Sequence, residues 1–184
     1  MQKYSIIYAD PPWRFKNYSD ETATHWVGEH YSLMNLEDIC KLPIAEMAAK
    51  DCALFLWITY PTLPRAFRVI KSWGFTYKTV AFTWVKVNKD GGIFTGMGYW
   101  TRSNAEICLL ATKGHPKRVS ANVRQVLMSR RRGHSQKPDE ARTRIVQLLG
   151  DLPRIELFAR ESTEGWDVWG NEVDSDIDMK EYVL

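Results

Sequence analysis

The chain has 184 residues, of which 45% are hydrophobic and 26% are charged, with a formal net charge of +3. This length and composition suffice for one domain with a sizeable core and exclude a disordered chain. No apolar run reaches membrane-spanning length, and the N-terminus lacks the basic-then-apolar order of a signal peptide. Three scattered cysteines without metal-ligand spacing indicate buried thiols in a reducing compartment, so we expect a cytoplasmic protein.

The charges are unevenly distributed along the chain. Residues 107–138 contain eight lysines and arginines and no acid, whereas the last 24 residues contain eight acids and one lysine. A basic segment next to an acidic tail suggests a polyanionic partner and a solvated terminus. The alternative is that the basic residues only form a solvated face.

The first predicted element is a buried strand over Tyr4–Ala9, which ends in Asp10-Pro11-Pro12-Trp13. The prolines end the strand because neither can donate to a sheet ladder. In open α/β sheets, ligands bind at such strand ends, so the motif is a candidate catalytic loop. The alternative is a strand, a turn and a packed tryptophan.

Further along the chain, strands and helices alternate, after a polar and aromatic loop over residues 14–32 that we expect to order on substrate. Further strands are predicted at residues 53–58, 79–87, 106–111, 126–128, 154–158 and 166–169. Helices are predicted after the N-cap Asn35 as far as Pro43, at 44–50, from Pro64 to Gly74 with Thr62 as cap, and from Pro138 to Gly150. This alternation predicts an α/β fold with a mostly parallel central sheet and helices on both faces.

The residues after the first strand suit an aromatic amine as substrate. The lone pair of such an amine is delocalised into its ring, and two acceptors that bind both amine hydrogens draw it back to the nitrogen. The Asp10 carboxylate and the Pro11 carbonyl are two such acceptors, and Trp13 offers a face for stacking a flipped-out base. The motif contains no nucleophile of its own.

Four stretches together resemble the MT-A70-like family of adenine-N6 methyltransferases, which use S-adenosylmethionine. They are Asp10 to Trp13; Leu54 to Trp57 with Trp73 to Phe75 and Trp84 to Lys86; His134 to Glu140; and Ile155 to Arg160 with Gly165 to Asp167 and Gly170-Asn171. The resemblance implies a Rossmann-like class I methyltransferase fold in permuted order, with the catalytic motif before the cofactor strand. Together with the length and the charge distribution, it predicts a single methyltransferase domain over residues 1–184, with a polar acidic tail from about residue 173.

The resemblance also implies site residues. The catalytic ones are Asp10, Pro11, Pro12 and Trp13. Those for the cofactor are Asp10, Lys137, Glu156, Leu157, Phe158, Arg160, Asn171 and Glu172, of which Arg160 and Asn171 hold the ribose; Glu172 replaces an amide that is common in relatives. Those for the nucleic acid are Trp13, Glu106 and Lys137. The basic segment itself, not the resemblance, adds Arg130, Arg131, Arg132 and His134 as candidate contacts.

Several of these residues have a plain structural alternative. Glu156 lies in an apolar strand, where it could form an ion pair with Arg154 or Arg160. Glu106 could be an exposed strand end, and Lys137 a solvated residue before a helix. Asn171 could belong to a turn, and His134 to the surface.

The expected function is S-adenosylmethionine-dependent methylation of the N6 amine of adenine in DNA, without a metal or a covalent enzyme intermediate. DNA is favoured over RNA because the chain is short, lacks zinc-finger cysteines and looks like a compact prokaryotic or phage member. The alternatives are an RNA adenosine methyltransferase, a non-catalytic nucleic-acid-binding or pairing subunit, and methylation of a protein amide or small molecule. No membrane partner is expected, and neither a monomer nor a homodimer is favoured. Target recognition falls to the loops at 14–32, 91–102 and 113–132.

Overall fold

The structure is a computed structural model that describes residues 1–13, 34–98, 100–130 and 136–183. The expected substrate loop at 14–32 therefore lies outside the described residues, as do the candidate nucleic-acid contacts Arg131, Arg132 and His134. Among the described residues, no helix combines the length and apolar character that crossing a bilayer requires.

The described residues form a seven-stranded sheet and four α-helices. The strands are β1 (Tyr4–Ala9), β2 (Ala48–Ile58), β3 (Thr76–Val87), β4 (Ala105–Lys113), β5 (Val126–Arg130), β6 (Arg154–Leu157) and β7 (Asp167–Trp169). The helices are α1 (Leu36–Lys41), α2 (Ile44–Met47), α3 (Leu63–Ser72) and α4 (Asp139–Leu149), with short 3₁₀ turns at Tyr60–Thr62 and Met179–Tyr182.

The sheet has the order β5-β3-β4-β2-β1-β6-β7. β4 is antiparallel to both of its neighbours, and every other pair of adjacent strands is parallel. The prediction of a mostly parallel sheet is confirmed. Because β1 lies between the parallel strands β2 and β6, its last residue leaves the sheet at the middle of the carboxyl edge.

A hydrophobic core lies on each face of the sheet. Successive side chains of a strand point to opposite faces, so Ile7 of β1 packs with α1, α2 and α3, whereas Tyr8 packs with α4. Both residues are almost completely buried. Helices therefore cover both faces, as the sequence predicts.

The helix ends follow the predicted capping chemistry with one exception. The Asn35 side chain accepts a hydrogen bond from the Asp38 amide at 2.9 Å, which caps α1. Gly74, with φ of +77°, follows the end of α3. The prediction that Thr62 caps α3 is wrong, because its hydroxyl donates to the Thr59 carbonyl at 2.8 Å within the preceding 3₁₀ turn.

Strand β2 begins five residues earlier than predicted, at Ala48, and the predicted helix at 44–50 ends at Met47. This part of the strand contains the polar residues Lys50 and Asp51, so the hydrophobicity pattern does not predict it. Pairing of Tyr4 with Ala48 and of Cys52 with Lys113 makes it part of the sheet. Tertiary pairing thus overrides the local pattern here.

The acidic tail packs against the domain. Met179 and Tyr182 are buried, and the Tyr182 hydroxyl donates to the Gln2 carbonyl at 3.0 Å. Asp176 accepts a hydrogen bond from the Val168 amide at 2.8 Å. Most residues of 173–183 are exposed, as expected of a solvated terminus, but Met179 and Tyr182 anchor this terminus to the domain.

Replacement of Gly114 by alanine is expected to destabilise the fold strongly. Gly114 has φ of +63°, and a Cβ there would lie 2.3 Å from both Asp51 Oδ1 and the Lys50 carbonyl. We expect Gly114→Ala to cost about 2 kcal/mol or more, and Gly91→Ala about 1 kcal/mol, because Gly91 has φ of +86° but nothing within 4 Å. Urea unfolding followed by circular dichroism measures both losses, and equal losses would contradict the role assigned to the close approach.

Candidate active site

Asp10 lies at the carboxyl edge of the sheet, directly after β1. Its Oδ2 atom is 2.7 Å from Nζ of Lys137, the residue just before the Pro138 cap of α4. The Lys137 side chain is only 8% exposed, so the alternative of a solvated lysine is wrong. The contact joins the Asp10-Pro11-Pro12-Trp13 motif to the start of α4, as expected of two residues at one site.

Two further charges extend this contact into a chain. Lys137 Nζ lies 3.2 Å from Glu106 Oε2, and Lys86 Nζ lies 2.5 Å from Glu106 Oε1. The Glu106 side chain is 15% exposed, so it is not an exposed strand end. The charge chain, defined as Asp10, Lys137, Glu106 and Lys86, alternates in sign and contains two acids and two bases.

Burial and the neighbouring charges determine the ionisation of this chain. Burial raises the pKa of Asp10, and this effect outweighs the opposing effect of Lys137. Although burial alone would raise the pKa of Glu106, the two lysines lower it. For Lys137 the signs are reversed: burial alone would lower its pKa, but the Asp10 and Glu106 carboxylates raise it. Lys137 is therefore a cation at neutral pH, and the ionisation of Asp10 depends on that cation.

A cavity of about 240 Å³ opens beside Asp10 at the carboxyl ends of β1, β6 and β7. It is lined by Asp10, Pro12, Met34, Phe158, Ala159, Arg160, Trp169, Gly170, Asn171 and Glu172. The structure thus brings together five of the eight residues that the sequence analysis associated with the cofactor. Carboxylates, a guanidinium, an amide and aromatic rings all line this space.

The backbone shapes one wall of the cavity. Phe158 is the single non-glycine residue with positive φ in the described part of the chain, at +61°. Its ring contacts that of Trp169 edge-on, with centroids 5.3 Å apart. A Cβ on Gly170 would lie 2.1 Å from the Ala159 carbonyl, so the loops after β6 and β7 touch through their backbones. This close approach places Arg160 and Asn171 in one cavity.

Glu156 and Leu157 are absent from the cavity lining. The Glu156 carboxylate is held by Arg142 of α4, with Nε to Oε2 at 2.6 Å and Nη2 to Oε1 at 3.1 Å. The ion-pair alternative is therefore correct for Glu156, but the partner is Arg142 and neither Arg154 nor Arg160. Leu157 is fully buried in the core on the α1–α3 face. Their expected role in binding the cofactor stays a prediction.

Trp13 and Pro11 are engaged in the fold. The Trp13 side chain is 6% exposed, and its Nε1 donates to the Trp57 carbonyl at 3.0 Å. The Pro11 carbonyl accepts from the Trp13 amide at 2.8 Å, which leaves its second lone pair for another donor. This arrangement matches the packed-tryptophan alternative, and the stacking and acceptor roles remain predictions.

Of the proposed nucleic-acid contacts in the basic segment, Arg130 is described. It is exposed, and its Nη2 donates to the Lys89 carbonyl at 2.5 Å. Lys113, in the same segment, donates to the Ala45 carbonyl at 2.7 Å. Part of the basic segment therefore has a structural role, whereas Lys117, Arg118 and Arg124 are exposed.

Sequence reasoning missed two residues, Lys86 and Arg142. Arg142 follows Ala141 and precedes Ile145 on the apolar side of α4, and a base in that position was the available signal for a buried ion pair. For Lys86 the signal is the pairing of Trp84 with Glu106, which places Lys86 diagonally across from the acid. That register cannot be read from the sequence.

The MT-A70 family profile matches residues 4–172 of the chain. The chain belongs to the MT-A70 family. It is 35% identical to the type II methyltransferase M.MunI of a Mycoplasma species, over 94% of the chain and 78% of that protein. It is 29% identical to the N(6)-adenosine-methyltransferase subunit METTL3 of Danio rerio and 28% identical to the METTL3 catalytic subunit of Homo sapiens, in each case over 94% of the chain and 28% of the relative.

Membership of the MT-A70 family agrees with the observed architecture. The sheet is mostly parallel, helices cover both faces, and the cavity lies at the carboxyl edge, as in a Rossmann-like methyltransferase fold. The matched region contains the Asp10 motif, the charge chain and the complete cavity lining. The chain spans most of M.MunI but less than a third of the METTL3 proteins.

Removal of the Arg142 guanidinium is expected to destabilise this MT-A70 protein severely. Arg142→Met leaves the Glu156 carboxylate buried without its bidentate partner, at a cost of about 3–5 kcal/mol. The control Arg68→Met removes an ion pair with Glu37 in which both side chains are more than half exposed, and we expect a cost below about 1 kcal/mol. Urea unfolding compares the two, and the double variant Arg142→Met/Glu156→Gln should recover part of the stability. If Arg142→Met destabilises the protein no more than Arg68→Met does, the stabilising role assigned to the ion pair between Arg142 and Glu156 is wrong.

Proposed function

We propose that this protein is an S-adenosylmethionine-dependent methyltransferase that acts on the N6 amine of adenine in DNA. The observation that carries the proposal is the position of Asp10, which lies at once in the cavity lining and in contact with Lys137. Family membership and the names of the relatives support the reaction type.

The cavity has the chemistry that the cofactor requires. Hydroxyl and ammonium groups donate to carboxylates such as those of Asp10 and Glu172, whereas a guanidinium and an amide match acceptors on the ribose and adenine. Arg160 Nε lies 3.9 Å from Glu172 Oε1, so these two charges face each other at one end of the cavity. Arg160, Asn171 and Glu172 would hold the ribose and Phe158 would contact the base. When bound, the cofactor supplies a methyl group on a sulfonium.

The residues of the motif act on the substrate amine. The Asp10 carboxylate accepts one amine hydrogen and the Pro11 carbonyl accepts the other with its second lone pair. Both bonds draw the nitrogen lone pair out of conjugation and fix its direction. Lys137 favours the ionised form of Asp10. After transfer the methylated nitrogen is acidic, and its proton passes to the hydrogen-bonded Asp10 carboxylate. Orientation and fixed electrostatics supply the rate.

DNA is the proposed substrate, with RNA as the second candidate. The relative with 35% identity, matched over 78% of its length, is a type II methyltransferase. The N(6)-adenosine-methyltransferases share 28–30% identity and are matched over 23–28% of their length. The second candidate rests on that weaker similarity.

A cytoplasmic location in a prokaryotic or phage-infected cell completes the proposal. Cys52 and Cys108 are buried free thiols and Cys40 is a partly buried one. This use of cysteine suits a reducing compartment.

Replacement of Asp10 by asparagine is expected to abolish methyl transfer. With a labelled methyl donor, the wild-type protein should label adenine N6 in DNA in preference to RNA when single-stranded DNA, duplex DNA and RNA oligomers compete. Asp10→Asn removes the charged acceptor, so the rate should fall by about 10² or more. Calorimetry should show cofactor affinity within about tenfold of the wild type, and Asp174→Asn, which alters an exposed acid, should behave as the wild type. Labelling of neither nucleic acid by the wild-type protein would refute the proposal.

The basic segment is expected to contribute to phosphate binding. Exchange of Lys117, Arg118 and Arg124 for glutamine should reduce the slope of log affinity against log salt by about 0.9 for each duplex DNA phosphate that the variant no longer neutralises. The control exchanges Lys41, Arg68 and Lys71, which lie on α1 and α3. Fluorescence anisotropy at several salt concentrations measures the slopes. Equal slopes for the two triple variants would show that the segment is only a solvated face.

A further inference from the structure

Lys86 lies near the end of β3 and contacts the charge chain through one oxygen of Glu106. Its Nζ is 2.5 Å from Oε1, while Lys137 contacts Oε2 at 3.2 Å. Each oxygen of Glu106 therefore has its own cation. The Lys86 side chain is 19% exposed, and Nζ also lies 5.0 Å from the centroid of the Trp84 ring. Packing thus fixes the direction of Lys86 towards Glu106.

Lys137 is shared unequally between its two acids. It is 2.7 Å from Asp10 and 3.2 Å from Glu106, so Asp10 is the closer partner. Without Lys86, both oxygens of Glu106 would be left to one cation among the described residues, and Lys137 would be drawn away from Asp10. Lys86 itself stands outside the cavity lining and reaches Asp10 through Glu106 and Lys137.

We propose that Lys86 is a positioning residue for methyl transfer: it holds Glu106 so that Lys137 stays directed to Asp10. The inference rests on the proposed function, because it assigns Lys86 a part in preparing the Asp10 acceptor. Lys86 acts through Glu106 and Lys137 and does not touch the reacting atoms.

The surroundings of Asp10 explain why this matters. Lys137 and Arg160 favour its ionised form, whereas Glu106, from β4, opposes it. The Glu156 carboxylate and the Cys108 thiol also lie within its electrostatic reach. Lys86 neutralises Glu106 and so reduces the negative field at Asp10. Removal of that positive charge favours protonated Asp10, which cannot accept an amine hydrogen at the protonated oxygen.

The test compares Lys86→Met and Lys86→Gln with Lys86→Arg, and uses Lys78→Met as a matched control on the same strand, where Lys78 is exposed. In both neutral variants, kcat/KM for DNA should fall by roughly tenfold at neutral pH. A fall of this size is expected when the pKa of one essential group rises by about one unit. The acid limb of the pH profile should move to higher pH, because Asp10 must lose its proton to act. Cofactor affinity should stay within about twofold. Lys86→Arg should keep the acid limb near its wild-type position, and Lys78→Met should match the wild type.

A second readout does not depend on activity. Carbon NMR of the labelled Asp10 carboxylate, assigned with Asp10→Asn, should show its titration moving to higher pH in both neutral variants. The inference is wrong if neither the Asp10 titration nor the acid limb of the pH profile moves. It is also wrong if all three variants at position 86 lose rate equally at every pH. If the wild-type protein transfers no methyl group, the proposed function fails, and the Asp10 titration still decides whether Lys86 controls its ionisation.

Discussion

The buried contact between Lys137 and Asp10 is the interaction on which the site depends. It joins residues 127 positions apart, and both side chains are removed from most of the solvent. Burial of one such pair is costly unless further partners complete it. Glu106 supplies the second acid, and it can do so because β4 runs antiparallel to its neighbours. Its amino end therefore lies at the same edge as the carboxyl ends of β1 and β3. The direction of one strand thus brings all four charges together.

Much of this arrangement could be predicted from the sequence because it is local. An apolar strand stopped by two prolines places Asp10 at a sheet edge, whatever the strand order. Capping residues define α1 for the same reason, since Asn35 needs only the amide of Asp38. Resemblance to a family supplied Phe158, Arg160, Asn171 and Glu172, which all line the cavity. No periodicity argument would have selected them.

The residues that sequence reasoning missed depend on pairing between distant elements. Lys86 reaches Glu106 only because of the register between β3 and β4. Glu156 finds Arg142 because α4 packs on the face of the sheet that holds Ile6 and Tyr8 of the neighbouring strand β1, whereas the sequence suggested the arginines closest to it in the chain. The sequence offers Trp13 both as a stacking surface and as a packed residue; its burial and its bond to the Trp57 carbonyl show that it packs in the core, and the stacking role stays a prediction. The hydrophobicity and hydrogen-bonding capacity of one tryptophan do not reveal whether its ring packs in the core or serves as a stacking surface.

The end of β6 shows how one strand serves a core and a cavity. Glu156 points to the α4 face and Leu157 to the opposite core, as alternation along a strand requires. The next residue would continue that alternation, but Phe158 adopts a left-handed conformation and lines the cavity. This conformation is costly for a bulky residue and persists only where the surroundings fix it. The Ala159 amide bonded to the Trp169 carbonyl at 3.0 Å and the close approach of Gly170 supply that constraint. The cavity is therefore shaped by backbone conformation, and the environment of Asp10 beside it by the balance of four partly buried charges.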